Sequence, residues 1–288
     1  MTTLVLGAAG LLGNAVFRVM SATCNASVYG TVRREASRMH FIPDLRNKLV
    51  FCRDLESQNG LEALFSTVKP KLVVNCVAVG RPAPDDPLRS ISVYSVLPHW
   101  LSHYCKMSGA RLIQISSDGV FTGNRGLYRE TDLPDSVELY GIAKFLGEVK
   151  EQHAVTIRTS VIGHELEGGR GLLEWFLSQG GTCQCYTRVV FSGLPAIELA
   201  RVIRDFVVPN DALSGVYHVA SKPISKFNLL SLVAQRYGKS ITMVPDDSVV
   251  IDRSLAADLF WQATGYVPPT WPELIDAMFT HKFGLAKG

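Results

Sequence analysis

The 288-residue chain predicts an α/β fold: a doubly wound parallel sheet with helices on both faces, followed by a smaller carboxyl-terminal region suited to covering a ligand. Three observations lead there. Apolar runs of strand length alternate with helical segments over the first 160 residues. One run, residues 71–77, is almost unbroken in apolar character, as a central strand covered on both faces must be. The first run ends directly in a glycine-punctuated turn that opens a helix.

Taken in order, residues 3–6 are a short β-type run, and residues 11–20 place apolar side chains at helical spacing. Residues 27–32 make the second strand and 49–52 the third, which ends at Arg53-Asp54. A helix over 61–68 leads through Pro70 into strand 71–77. A polar, proline-rich loop at 81–87 then precedes a helix running through Lys106. Strand 111–116, helix 140–152 and strand 155–159 complete the series. Connections of this kind are right-handed, which sets helices on both sides of the sheet. Beyond residue 160 the pattern loosens: residues 163–181 are glycine-rich around one helical piece at 172–179, and Pro, Trp and short helices dominate from Pro209. The expected division is a nucleotide-binding domain at 1–160 and a mainly substrate-binding region at 161–288, with a segment near 187–208 returning to the first domain.

Apolar residues are 47% of the chain and charged residues 19%, a balance that excludes disorder. The 29 basic and 26 acidic residues leave a formal charge of +3 with no run of five like charges, so neither nucleic-acid binding nor a polybasic membrane anchor is supported. Cysteines 24, 52, 76, 105, 183 and 185 form no Cys-x-x-Cys pair and read as buried small hydrophobes in a reducing compartment. No apolar stretch reaches the roughly 18 residues of a membrane span. The first 17 residues lack the early positive charge of a signal peptide, and a cytoplasmic location is expected.

The turn reads Gly7-Ala-Ala-Gly10-Leu11-Leu12-Gly13 between the first strand and the first helix. In a Rossmann-type site Gly7 permits the tight turn, Gly10 lets backbone N–H groups approach a pyrophosphate, and Gly13 allows close helix-to-strand packing. The helix amino terminus adds unpaired N–H groups and partial positive charge. A lone glycine triplet is weak, but its position here fits a dinucleotide site. The second strand ends Thr31-Val32-Arg33-Arg34, where NAD sites usually carry an acid. An arginine fork matches a 2′-phosphate, so NADP(H) is preferred over NAD(H), the alternative being two solvated arginines. Asp54, with Leu55 beside it, is a candidate partner for the adenine amino group or simply a helix N-cap.

Tyr140-Gly-Ile-Ala-Lys144 sets a phenol and an ammonium on one helical face. A phenol is a poor acid–base catalyst at its reference pKa of about 10, and a neighbouring ammonium favours its ionised form. Ser117, ending the fifth strand, can donate to the same substrate oxygen. With nine tyrosines in the chain the spacing alone means little. Order gives it weight: glycine turn, four strands, Ser after the fifth, then Tyr and Lys on the next helix. Together the three are candidates to polarise a carbonyl and protonate it as hydride arrives.

These blocks are also familiar as a set. Ile115-Ser-Ser-Asp-Gly-Val-Phe-Thr-Gly123, Tyr140-Gly-Ile-Ala-Lys-Phe-Leu-Gly-Glu148 and Ile157-Arg-Thr-Ser160 resemble the dTDP-4-dehydrorhamnose reductase family of extended short-chain dehydrogenase/reductases. Weaker blocks follow in the same order: Phe191-Ser-Gly-Leu-Pro, Gly215-Val-Tyr-His218, Arg253-Ser-Leu255 and Trp271-Pro-Glu-Leu. The resemblance implies reduction of the 4-keto group of a nucleotide-linked deoxysugar by NADPH or NADH, with Ser117, Tyr140 and Lys144 catalytic. It further implies that Ala78 and Val79 line the cofactor, that Asp118 sits near the sugar, and that Arg253 meets the diphosphate or makes a surface salt bridge. Pairing into a homodimer through helices flanking the sheet is implied as well. Two departures stand out. Val93-Tyr94-Ser95 occupies the stretch where many such reductases carry asparagine, and Gly119 stands where the family often has a bulky aromatic. Asp118-Gly119 in place of Asp-Glu argues against a 4,6-dehydratase. A non-catalytic NADP-binding regulatory subunit and a sugar-nucleotide epimerase remain as alternatives.

Other candidates carry less. His99 and His103, with Cys105 nearby, lack a third metal ligand at a recognisable spacing and read as core or interface histidines. His164-Glu165 reads as a loop-stabilising pair, with a catalytic role the alternative. Trp175, Tyr186 and Phe191 suit either stacking on a nucleotide or ordinary packing.

Overall fold

The computed structural model describes residues 1–22, 27–79 and 86–284. Cys24 and most of the expected loop at 81–87 lie outside the described residues.

β1 (Thr2–Leu6) is buried along all but its first residue, and the glycine turn leads from it into α1 (Leu11–Ser21), which buries Leu12, Val16, Phe17 and Met20. β2 (Ser27–Val32) passes through a 3₁₀ turn over Glu35–His40 and the short α2 (Pro43–Arg46) to β3 (Leu49–Phe51) and α3 (Gln58–Val68). β4 (Leu72–Asn75) is followed by one continuous helical run: α4 (Pro87–Ile91), a π-turn over Ser92–Val96, and α5 (Leu97–Ser108). β5 (Arg111–Ile115), α6 (Leu139–Leu146) and β6 (Ala154–Arg158) come next. After them run β7 (Val161–Ile162), α7 (Leu172–Ser178), β8 (Thr182–Tyr186), β9 (Val189–Phe191), β10 (Leu194–Pro195) and α8 (Ala196–Val202). The chain finishes with β11 (Gly215–His218), β12 (Ile224–Ser225), α9 (Lys226–Tyr237), β13 (Thr242–Asp246), β14 (Ile251–Asp252), α10 (Asp258–Thr264) and α11 (Trp271–Gly284).

Seven strands form one sheet in the order β11-β6-β5-β4-β1-β2-β3, every neighbouring pair parallel. The chain builds outward from β1 to β3, then crosses back to β4, so the order reverses between β1 and β4. Open α/β sheets bind ligands in the crevice at such a switch point, at the carboxyl ends of the strands. On one face α1 packs against α8, with Val16, Phe17, Leu199 and Val202 in one buried cluster. On the other, α3 and α5 bury Leu61, Phe65, Leu97 and Leu101 against Leu4, Leu6 and Val73.

Three differences from the expected pattern have physical reasons. The helix expected to run to 152 stops at Leu146, because Glu148 turns into the interior to meet Arg158. The sheet does not end near residue 160: β11, at 215–218 and so beyond the segment near 187–208 expected to return, pairs with β6 and supplies a seventh strand, while α8 lies beside α1 within that segment. Beyond β6 the chain also makes small sheets from strands of only two to five residues, too short for a clear apolar run: β7 with β10, β8 with β13, and β9 between β12 and β14. Among the described residues no helix is long and apolar enough to cross a membrane. Cys76, Cys105, Cys183 and Cys185 are buried and Cys52 is half-buried, all free thiols.

Candidate active site

The glycine turn is held by β2. Gly7, at φ +75°, donates its N–H to Thr31 Oγ1 at 3.0 Å, and Ala8 N donates to Thr31 O at 2.9 Å. A Cβ on Gly13 would lie 2.1 Å from Gly7 O, so only glycine lets α1 start this close to the turn. Gly10 is the N-cap of α1 in extended geometry and has no side chain to fill the space over the helix end. A cavity of about 520 Å³ opens there. It runs from Arg33, Arg34 and Ser37 past Gly7, Gly10, Leu11 and Leu12 and along Leu55, Ala78 and Val79, ending at Ser117, Tyr140 and Lys144. Gly13 acts by packing and does not line it. Asp54 is exposed and also stays out of the lining, and the N-cap of α3 is Ser57, whose Oγ accepts from Gly60 N at 3.1 Å. The N-cap role weighed for Asp54 therefore belongs to Ser57.

At the inner end three side chains come together. Ser117 ends the strand segment after β5 and caps a 3₁₀ turn, its Oγ accepting from Gly119 N at 3.0 Å and donating to Asp118 Oδ1 at 3.2 Å. A Cβ on Gly119 would sit 3.0 Å from Tyr140 Cε1 and 3.2 Å from Ser117 Oγ, so ring edge and hydroxyl flank the same point. Lys144, one turn further along α6, is buried and donates from Nζ to Ile115 O at 3.0 Å. Burial lowers its pKa to about 8, against the opposing influence of Cys76 and Glu148.

Tyr94 is the residue that sequence reasoning passed over. It occupies the stretch where many such reductases carry asparagine, and its hydroxyl donates to Val79 O. Its ring meets Tyr140 edge-on at 5.3 Å and takes the Lys144 ammonium over its face at 4.7 Å. The π-turn over Ser92–Val96 presents this ring, and such turns concentrate at functional sites. Desolvation, then the charge of Tyr140, raises the Tyr94 pKa, so it acts as a neutral hydrogen-bonding support. Ser37, Glu56 and Arg89 toward the outer end, and Ser160 beside Asp118 at the inner end, also line the cavity, and none has a role assigned from the sequence. Glu167 reaches across to pair with Arg34 and accepts from Ser37 Oγ at 2.9 Å.

Asp118 and Arg253 lie behind Ser117, outside the cavity lining. Burial pushes the Asp118 carboxyl up to about 6, despite hydrogen bonds from Ser117 and Ser160 and the charge of Arg253. Arg253 donates to Thr122 O at 3.3 Å and to Glu138 Oε1 at 3.4 Å, the salt-bridge alternative. His99 and His103 are exposed, not core, and His99 Nε2 bonds Leu146 O at 2.7 Å. Among the described residues no group of three or more His, Cys, Asp or Glu side chains is placed to hold a metal ion. His164 is not paired with Glu165. It bonds Glu174 Oε1 at 2.7 Å and Tyr237 OH at 2.8 Å, while Glu165 accepts from Arg170 N. Trp175 and Tyr186 are partly exposed, and Phe191 is buried against Trp271.

Comparison with known proteins adds the family. The chain is 22% identical to methionine adenosyltransferase 2 subunit beta of Xenopus laevis, over 99% of this chain and 83% of that protein. It is 25% identical to the probable low-salt glycan biosynthesis reductase Agl14 of Haloferax volcanii, over 90% of this chain and 85% of that protein. Among solved structures, dTDP-4-dehydrorhamnose reductase from Bacillus anthracis in complex with NADP superposes with a TM-score of 0.77 at 17% identity, covering 97% of this chain and 99% of that one. At that identity the likeness speaks for the fold. Residues 1–252 match the family described as RmlD substrate binding domain, and the chain belongs to that family.

Proposed function

We propose that this protein is an NADPH-dependent reductase of the 4-keto group of a nucleotide-linked deoxysugar, working in glycan or deoxysugar synthesis in the cytoplasm. The observation that carries the reading is the convergence of Ser117 Oγ and the Tyr140 ring edge at Gly119, with the Lys144 ammonium buried one helical turn away. The cleft fits a dinucleotide: a glycine turn that a Cβ would fill, an open helix end for a pyrophosphate, and Arg33 and Arg34 at the far end for a 2′-phosphate. The names of the Haloferax and Bacillus relatives support reduction and NADP. When bound, the nicotinamide supplies the hydride. Ser117 orients the substrate carbonyl, and Tyr140 gives its phenolic proton to that oxygen as the carbon is reduced, leaving an alcohol. Lys144 steadies the phenolate left behind, and Tyr94 holds both in register. In this reading the parts of 161–288 other than α8 and β11, which belong to the main sheet and its helical layer, cover the sugar nucleotide.

The test is purified protein with NADPH and a panel of keto-sugar nucleotides. Stoichiometric NADPH oxidation is expected with at least one, and Tyr140→Phe should lower kcat by roughly 10²- to 10⁴-fold with NADPH affinity unchanged. A second reading, a non-catalytic NADP-binding regulatory subunit, draws support from the Xenopus relative being named as a subunit of another enzyme. Tight NADPH binding with no turnover on any substrate, and a stable complex with a partner enzyme, would favour that reading instead. An epimerase would turn over without net loss of NADPH.

A further inference from the structure

Glu167 stands at the tip of the segment between β7 and α7, and three donors converge on its carboxylate. The Arg34 guanidinium pairs with it, the buried Ser37 hydroxyl donates at 2.9 Å, and His40 Nε2 bonds it at 3.1 Å. All three donors come from the end of β2 and the 3₁₀ turn that follows. Guanidinium, hydroxyl and imidazole together suit a small polyanion as well as a carboxylate.

We propose that Glu167 is a cofactor-specificity residue whose carboxylate occupies the 2′-phosphate subsite and must leave it for NADP(H) to bind. The inference rests on the dinucleotide reading of the cleft. In NAD sites an acid at the end of the second strand accepts from the ribose 2′-hydroxyl. Here that position is basic, and the acid arrives from the opposite wall. With Glu167 in place a 2′-hydroxyl finds an acceptor; a 2′-phosphate instead meets a like charge sitting on its own donors. The contact is easily exchanged, because Arg34 is 64% exposed and exposed ion pairs are weak.

The surroundings provide for the exchange. Glu167 lines the dinucleotide cavity and also a second one of about 440 Å³ on its other side, bounded by Arg18 and Lys282 as well as by Glu165 and Glu174. The displaced carboxylate therefore has space and a basic group to turn toward. The segment is rich in glycine (Gly163, Gly168, Gly169, Gly171), while its base is fixed by His164 bonding Glu174 and Tyr237. The tip can move while its base stays.

NADPH and NADH titrations of the wild type and of Glu167→Gln, read by nicotinamide fluorescence, test this. The variant should bind NADPH about 5- to 20-fold more tightly and NADH no more tightly than wild type does. Tightening of both cofactors alike, or of neither, would overturn the inference while leaving the dinucleotide reading intact. If the wild type bound neither cofactor, the dinucleotide reading would fall and the inference with it. A second measurement needs no variant. Arg170 is an exposed tryptic site beside the tip, and saturating NADPH should speed its cleavage in the wild type while NADH does not. Equal cleavage with both cofactors would contradict displacement of Glu167.

Discussion

Asp118 lies behind Ser117 and faces Arg253, yet desolvation outweighs its partners and holds the carboxyl at about 6. In the unfolded chain it titrates near 3.8. Between those values the folded protein binds more protons than the unfolded one, so stability falls as pH rises through the window. Above about pH 6 the charged form costs up to roughly 3 kcal/mol, at about 1.4 kcal/mol per unit, and below pH 3.8 nothing. Asp118→Asn keeps an acceptor for the Ser117 hydroxyl and removes the charge. Its melting temperature should exceed that of the wild type at about pH 8 and match it near pH 4. A gain of equal size at both values would mean the carboxyl is not the source. A destabilised group beside the Ser117 hydroxyl is the kind of feature that stability is given up to keep.

At the scale of elements, the turn between β1 and α1 depends on the approach of helix start to turn carbonyl. A Cβ at Gly13 would meet Gly7 O, a backbone atom with no freedom to turn aside. Gly13→Ala must therefore push α1 outward, against the buried Val16 and Phe17 that lock it to α8. Overpacking of this kind costs about 1–3 kcal/mol. We expect a lower melting temperature together with loss of most NADPH affinity; normal affinity in the folded variant would contradict the assigned role of the turn. The turn was legible in the sequence because its logic is local: three glycines, a strand before, a helix after. Ser117, Tyr140 and Lys144 were legible because chain order places them, and the strands up to β6 because a buried parallel strand has a plain apolar pattern. Glu167, Ser37 and His40 were not, since an acid some 130 positions from Ser37 in the chain carries no spacing signal. Tyr94 was not, because its contacts with Val79, Tyr140 and Lys144 are tertiary and leave no spacing that sets it apart from the other tyrosines. β11, half-buried over three of its four residues, lacked the apolar run that identified its neighbours.

For the whole molecule, one buried ion pair joins the seven-stranded sheet to later segments of the chain. Glu148, just past α6, takes Arg158 of β6 in a two-pronged contact, Nε to Oε1 at 2.7 Å and Nη2 to Oε2 at 2.8 Å, with both side chains at most 3% exposed. Ser116, next to Ser117, donates to Glu148 Oε1 at 2.9 Å. On its other side Arg158 lies over the Phe121 ring and donates from Nη1 to His218 Nε2 at 3.3 Å. His218 Nδ1 faces the carbonyls of Tyr128 and Ala256 and so carries the ring proton. Burial, reinforced by Arg158, lowers this imidazole to about 4, so it stays neutral and can accept. The pair thus connects α6, β6, β11 and the segments around 128 and 256. A buried pair of this kind adds little over a well-packed apolar substitute, but breaking it strands a charge and costs about 3–5 kcal/mol. Against a typical total of about 5–15 kcal/mol, that is a large fraction. Glu148→Ala should therefore lower the urea midpoint sharply, and Arg158→Met added to Glu148→Met should recover a good part of the loss. If the single and double variants unfold at the same midpoint, the stranded charge is not what destabilises the protein, and the link between the sheet and its later strand must lie in packing alone.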